Sequence, residues 1–192
     1  MIAIIQYNAG NTTSVRNAVE SLGYNTLITE DEALLQQADK VIFPGVGEAA
    51  SAMHYLKERG LDKIICSLKQ PLLGICLGMQ LLCRHTEEGD TTGMGIFDAV
   101  VKKFPLSGIV PHMGWNNCSM IKEKLFRNLT TECNFYFVHS YYATIGADTI
   151  AKAEYLLPFS AALQKRNFYG TQFHPEKSGD KGMRLLQNFL GL

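Results

Sequence analysis

Apolar positions recur with two periods over the first hundred residues, and the periods alternate. Ile2 to Tyr7 is a short apolar run ending in the turn cluster Asn8-Ala-Gly-Asn11, after which Val15, Ala18, Val19 and Leu22 fall on one helical face and Gly23 stands at the C′ position. The alternation repeats. A strand is expected at Asn25 to Ile28, a short helix at Glu32 to Ala38, and a strand at Val41 to Phe43, bounded at once by Pro44-Gly-Val-Gly47. Helices follow at Ala49 to Lys57 and Leu61 to Leu68, then the strand Leu72 to Ile75 and a helix from Leu77 until Gly89. Strands separated by helices of this length need right-handed crossovers, which gives a largely parallel open sheet with helices on both faces.

Beyond Gly95 the pattern changes. Val100 to Phe104, Phe135 to Val138, Ile150 to Tyr155, Ser160 to Leu163 and Phe168 to Phe173 read as strands with no long helix between them, so an antiparallel extension is expected in the C-terminal half. Met183 to Leu190 closes the chain as an amphipathic helix. No repeat, low-complexity tract or linker interrupts the 192 residues, and the expectation is one α/β domain over 1–192.

Composition narrows the functions open to such a fold. Lys plus Arg and Asp plus Glu are 18 each, so there is no bulk field to hold nucleic acid or an anionic membrane surface, and neither partner is expected. No apolar run has the length of a membrane span and the first residues lack a signal-peptide pattern, so the chain reads as cytoplasmic. Five cysteines, odd in number and without a Cys-x-x-Cys pair, argue against a disulfide framework and a structural zinc site.

Candidate chemistry gathers at Pro71-Leu-Leu-Gly-Ile-Cys-Leu-Gly-Met-Gln80, where a buried-type strand runs into a helix through Gly-x-Cys-x-Gly. That is the thiol form of a nucleophile elbow: Cys76 would project from the C-terminal edge of the sheet at a helix N-terminus, which favours a thiolate. A packed structural thiol is the alternative, and it holds for Cys66, Cys83, Cys118 and Cys133, which lack the elbow. A thiol nucleophile needs a base and an orienting group. Of the five histidines, His54 and His85 fall on expected helices beside charged residues. His174 ends a strand in Phe173-His-Pro-Glu176, and residues two apart in extended chain share a side, so Glu176 can hold one ring nitrogen while the other faces Cys76. Oxyanion donors would come from Gly45, Val46 and Gly47, whose glycines leave peptide groups free to turn, and from the Leu77 N–H after the nucleophile.

The elbow Gly74 to Gln80, the Pro44 to Gly47 turn and Gly170-Thr-Gln-Phe-His-Pro-Glu176, in that order, resemble the class I (triad) glutamine amidotransferases over nearly the whole chain. The resemblance implies a flavodoxin-like sheet, L-glutamine as substrate, Cys76, His174 and Glu176 as the triad, and no metal or organic cofactor. It also implies that Gln80, Glu88, Ser140 and Tyr141 bind the substrate. Val110-Pro-His-Met-Gly-Trp-Asn116, Phe135 to Tyr142 and Lys177-Ser178 are similar to the branch serving histidine biosynthesis, which passes ammonia to a separate (β/α)8-barrel cyclase subunit in a heterodimer. On that likeness Asn11, Trp115, Tyr136 and Lys177 would meet the cyclase. One departure is Gln6-Tyr7-Asn8, where the family usually has an Asp-Tyr-Gly-type turn. Two other readings are a glutaminase serving another acceptor, in pyridoxal phosphate or anthranilate synthesis, and a catalytically silent flavodoxin-like binding module. Relatives of the first kind tend to carry Pro-Gly-Gly-Glu-Ser or Pro-Gly-Pro-Gly where this chain has Pro44-Gly-Val-Gly47.

Overall fold

The computed structural model describes residues 1–120 and 123–192. The N-terminal half follows the expected alternation: β1 (Ile2–Ile5), α1 (Thr12–Ser21), β2 (Thr26–Thr29), α2 (Glu32–Gln37), β3 (Lys40–Gly45), α3 (Ala49–Glu58), α4 (Leu61–Ser67), β4 (Leu72–Cys76) and α5 (Leu77–Leu82). Side-chain caps begin three of the helices: Asn11 accepts from the Ser14 N–H, Asp31 from the Leu34 N–H, and Glu48 from the N–H groups of Ala50 and Ser51. Strands β1, β2, β3 and β4 are mutually parallel, in the order β2-β1-β3-β4.

Period-two alternation sorts these strands between two apolar layers. Ile2, Ile4, Ile42, Leu73 and Ile75 face the layer that holds Val15 and Val19 of α1, while Ala3, Ile5, Val41, Phe43 and Leu72 face the layer of α2, α3, α4 and α5. The sheet is therefore covered on both sides, as the sequence pattern predicts.

The second half is β5 (Cys83–Thr86), β6 (Thr91–Thr92), β7 (Phe97–Lys103), β8 (His112–Met120), β9 (Glu132–His139), β10 (Tyr141–Ala143), β11 (Thr149–Tyr155), β12 (Leu157–Lys165), β13 (Phe168–Thr171) and α6 (Gly179–Leu190). Strand β13 pairs parallel with β4, extending the parallel part, and antiparallel with β12, where the sheet branches. One branch is β12-β10-β7-β5-β6 and the other β12-β11-β8-β9, whose pairings are antiparallel. Helix α6 lays Leu185, Leu186, Phe189 and Leu190 on the α1 layer. No helix among the described residues is long and apolar enough to cross a membrane.

Three expectations are corrected. The helix from Leu77 ends at Leu82, not Gly89, because its last carbonyls are taken by another segment: Met94 N–H donates to Leu81 O, Ile96 to Leu82 O and Gly95 to Cys83 O. The chain after Leu82 then turns into β5, parallel to β7, which puts His85 on a strand. Strand β3 runs on through Pro44 and Gly45, so the turn proper starts at Val46. Strand β8 was not expected at all, since His112 to Met120 mixes polar and apolar residues without a clean alternation.

Candidate active site

Cys76 ends β4 and stands immediately before α5, with φ 52° and ψ −110°. Left-handed backbone at a residue with a Cβ is strained, and strain of this kind is retained where the surroundings over-determine it. The surroundings are close-packed glycines. A Cβ on Gly78 would lie 2.0 Å from Phe43 O, and one on Gly74 would lie 2.8 Å from Met79 N, so helix α5 can approach β3 and β4 only with both side chains missing. The sharp join aims the Cys76 side chain off the sheet's C-terminal edge, where it is 7% exposed.

His174 and Glu176 are both buried at this edge, and the ring Nδ1 lies 2.8 Å from Glu176 Oε1. A carboxylate accepts, so Nδ1 carries the proton and Nε2 is the nitrogen left for chemistry. The pair meets in a different way from that expected. Pro175–Lys177 is a single 3-10 turn rather than extended chain. Ser178 pins it by donating its hydroxyl to His174 O at 2.6 Å and accepting the Tyr136 N–H at 2.9 Å. His174 Nε2 is buried without a hydrogen bond in this resting arrangement. Burial alone would lower the imidazole pKa, but electrostatic attraction to Cys76, the hydrogen bond to Glu176 and the Glu176 charge outweigh it and raise it to about 10.

The Cys76 sulfur has two other neighbours, Val138 O at 3.9 Å and Gln172 Nε2 at 3.6 Å. It opens on a cavity of about 350 Å³ whose walls include Val46, Gly47, Leu77, Gln80, Glu88, Ser140 and Tyr141, together with Pro111, Val138 and His139. Every residue singled out in the sequence as an oxyanion or substrate contact, except Gly45, therefore lines one cavity. Gln80 is buried and donates to Tyr141 O at 3.0 Å and to Gln172 Oε1 at 2.9 Å. Glu88 is half-buried in a 3-10 turn, accepts the Ala49 N–H at 2.9 Å, and has its pKa raised by burial, with Glu48 adding to the rise and the Ala49 bond opposing it.

Gly45 differs from the expectation. It is a paired strand residue directly opposite Cys76, and a Cβ there would lie 2.5 Å from Gly78 N, 2.7 Å from Leu77 Cβ and 2.7 Å from the Tyr7 hydroxyl. Its glycine serves close packing, not freedom to turn. The Tyr7 hydroxyl, itself buried, holds Pro44 O at 2.8 Å, and burial with the neighbouring Cys76 pushes the phenol pKa up. Only Val46, 40% exposed, and Gly47, at φ 125°, lie beyond that anchor.

The residues expected to meet a partner fall near the same edge. Trp115 and Tyr136 are cross-strand neighbours with ring centroids 6.2 Å apart, and Trp115 is 58% exposed beside the exposed Met113. Lys177 is exposed on the turn that carries Glu176. Asn11 caps α1, which packs against that turn. Two further residues belong to the site that the sequence did not single out: Gln172, inside the His174 motif, and His139, which lines the cavity. Burial pushes His139 down to about 3, with His112 and His174 adding to the fall and its bond to Tyr141 O opposing it.

A strained thiol elbow beside a buried His–Glu pair is an arrangement suited to a cysteine nucleophile. A family model described as glutamine amidotransferase class-I matches residues 3–191, and the chain belongs to that family. It is 55% identical to the imidazole glycerol phosphate synthase subunit HisH of Bacteroides fragilis strain YCH46, over 100% of this chain and 99% of the relative. It is also 47% identical to the protein of that name from Yersinia pseudotuberculosis, over 98% of each. Among solved structures, a glutamine amidotransferase shares the fold at a TM-score of 0.77 and 18% identity, covering 100% of this chain and 98% of that one. PurLQS from Thermotoga maritima does so at 0.74 and 15%, covering 99% and 97%.

Proposed function

We propose that this chain is the glutaminase subunit of an imidazole glycerol phosphate synthase. It hydrolyses L-glutamine to glutamate and ammonia, and the ammonia passes to a separate (β/α)8-barrel cyclase subunit that makes imidazole glycerol phosphate and AICAR. The observation that carries the reading is the Cys76 elbow opening, beside His174 and Glu176, into a cavity of about 350 Å³, ample for one amino acid. The acceptor is inferred from the relatives' shared name.

In this reading the Cys76 thiolate attacks the side-chain amide carbon, and the carbonyl electron pair moves onto oxygen. His174, charged at neutral pH, gives its Nε2 proton to the departing ammonia. A water molecule, losing a proton to the same nitrogen, then cleaves the glutamyl thioester to glutamate and the free thiol. Glu176 holds the ring by Nδ1 throughout. Both amide hydrogens of Gln80 are already committed to Tyr141 and Gln172, so its Oε1 is what it offers a ligand. That oxygen and the Glu88 carboxylate are acceptors suited to the α-ammonium group, with Ser140 and Tyr141 as a wall.

The Leu77 N–H and a peptide N–H of the Val46–Gly47 turn would hold the oxyanion. Losing one such donor slows acyl chemistry about 100- to 1,000-fold, so a turn that reorients only on docking keeps the glutaminase nearly idle until ammonia has a destination. The experiment is glutamate production by the chain alone, with the cyclase, and with cyclase plus its nucleotide-like substrate. The rate is expected to rise by orders of magnitude across the series; equal rates in all three would overturn the coupling.

A further inference from the structure

Gln172 is fully buried one position beyond β13, and its backbone N–H is already satisfied by Ala161 O at 2.8 Å. Its side-chain amide is the part without an evident task. One end lies 2.9 Å from Gln80 Nε2 and the other 3.6 Å from Cys76 Sγ. Which end carries the hydrogens decides what it can do to the sulfur.

The surrounding bonds settle the orientation. Tyr141 O is a carbonyl and can only accept, so Gln80 presents its NH2 to it at 3.0 Å, and the second hydrogen of that NH2 points to Gln172. Gln172 must answer with Oε1, which turns its own NH2 toward Cys76. Reversing Gln172 would set two NH2 groups against each other, and reversing Gln80 would set two carbonyl oxygens together. The anchoring carbonyl is itself held in place. It receives His139 Nδ1–H at 2.7 Å, His139 Nε2 then accepts from His112 Nδ1 at 3.0 Å, and His112 Nε2 faces Asn116 Nδ2 at 3.3 Å. Donors and acceptors alternate in one direction only along this line, and burial keeps both imidazoles neutral, at about 3 for His139 and about 4 for His112.

We propose that Gln172 is a further catalytic residue of this site, donating its Nε2–H to Cys76 Sγ and holding the sulfur as a thiolate aimed into the cavity. The assignment rests on Cys76 being the nucleophile. A neutral amide gains little from a neutral thiol, but a hydrogen bond to an ionised acceptor is about twice as strong, so the bond favours the charged sulfur. His174 supplies the same preference through its charge. The two differ in that the amide keeps its hydrogens through the cycle and is present for both the attack and the return of the free thiol.

The test compares alkylation of Cys76 by iodoacetamide at neutral pH in the isolated chain, read by peptide mass spectrometry, with exposed Cys66 as the internal reference. Gln172→Glu is isosteric and keeps the acceptor for Gln80 while removing the donor to sulfur; Gln172→Met keeps the volume without charge. Both are expected to slow Cys76 about 10- to 100-fold, the worth of a hydrogen bond to a charged group, and to leave Cys66 unchanged. Rates within twofold of the parent in both variants would overturn the proposal. A second measurement needs no Gln172 variant: the Gln172 Nε2 proton resonances should move as the pH is raised across the ionisation of Cys76, and Cys76→Ala should abolish that movement. Invariant resonances in the parent chain would equally overturn it. Neither readout uses glutamine, so a parent chain that made no glutamate under any condition would defeat the proposed function while leaving this comparison decisive.

Discussion

His174 and Glu176 share a buried hydrogen bond yet have different tasks, and substitution separates them. In the proposed mechanism the base moves a proton in two steps, whereas Glu176 only keeps Nδ1 protonated and the ring in place. His174→Ala is expected to lower glutamine turnover about 100- to 10,000-fold, the usual contribution of a general acid–base group, and Glu176→Gln to lower it less. Steady-state glutamate production by both variants checks this; an intact His174→Ala beside an inactive His139→Ala would reassign the base. At this scale the sequence was informative where chemistry forces a motif. Cys76, the elbow glycines and the His174-Pro-Glu176 run are legible because few residues satisfy a strained strand-to-helix join or a buried imidazole held by a carboxylate. Gln172 and His139 were not, since a lone amide or imidazole is read only from what it touches. Nor could the sequence tell that Gly45 is glycine because Tyr7, Leu77 and Gly78 occupy the space of its side chain.

Elements were legible wherever one layer of the core imposed a clean period. Strands β1, β3 and β4 alternate between two apolar layers, and α1 has a single buried stripe, so their places follow from pattern alone. Helix α5 misled because Leu81-Leu82-Cys83 continues a helical pattern, and what stops it is a segment beyond it in sequence that takes its terminal carbonyls. Strand β8 is hidden because polar residues point inward: His112 is buried against Phe137 and Tyr155, with ring centroids at 5.1 and 4.1 Å, and carries the bond to His139. That inward pair gives β8 and β9 a pH dependence. The folded-state pKa of His139, about 3, lies below the ordinary value of 6.5, so the unfolded chain binds more protons between those limits and stability falls as the pH drops through that window. Melting temperatures from pH 7 to 4 should decline more steeply for the parent chain than for His139→Asn, whose amide can still donate to Tyr141 O. Identical slopes would show that the buried imidazole is not what acid attacks.

For the whole molecule, the arrangement sets the cavity, the His–Glu pair and the exposed Met113–Trp115 strip around the C-terminal edge of one sheet. Formal charges balance at 18 of each sign, so apolar contact at Trp115 and Met113, not a net field, would hold a partner there. The antiparallel branch β11-β8-β9 gives this arrangement its logic, since it brings the Trp115–Tyr136 pair next to the turn bearing Glu176 and Lys177. Strands β9 and β11 of that branch were legible, but β8 and the pairing order were not, because which strands pair at such separations in sequence is decided by tertiary packing. In the proposed function glutamine is cleaved at one subunit and its nitrogen used at another, so the two activities should come apart at a single atom. The most direct test is Cys76→Ala assembled with the cyclase and assayed for imidazole glycerol phosphate formation, first with glutamine and then with ammonium salt. The account predicts loss of nearly all glutamine-dependent synthesis with ammonium-dependent synthesis retained; glutamine-dependent synthesis persisting near the parent rate would contradict it.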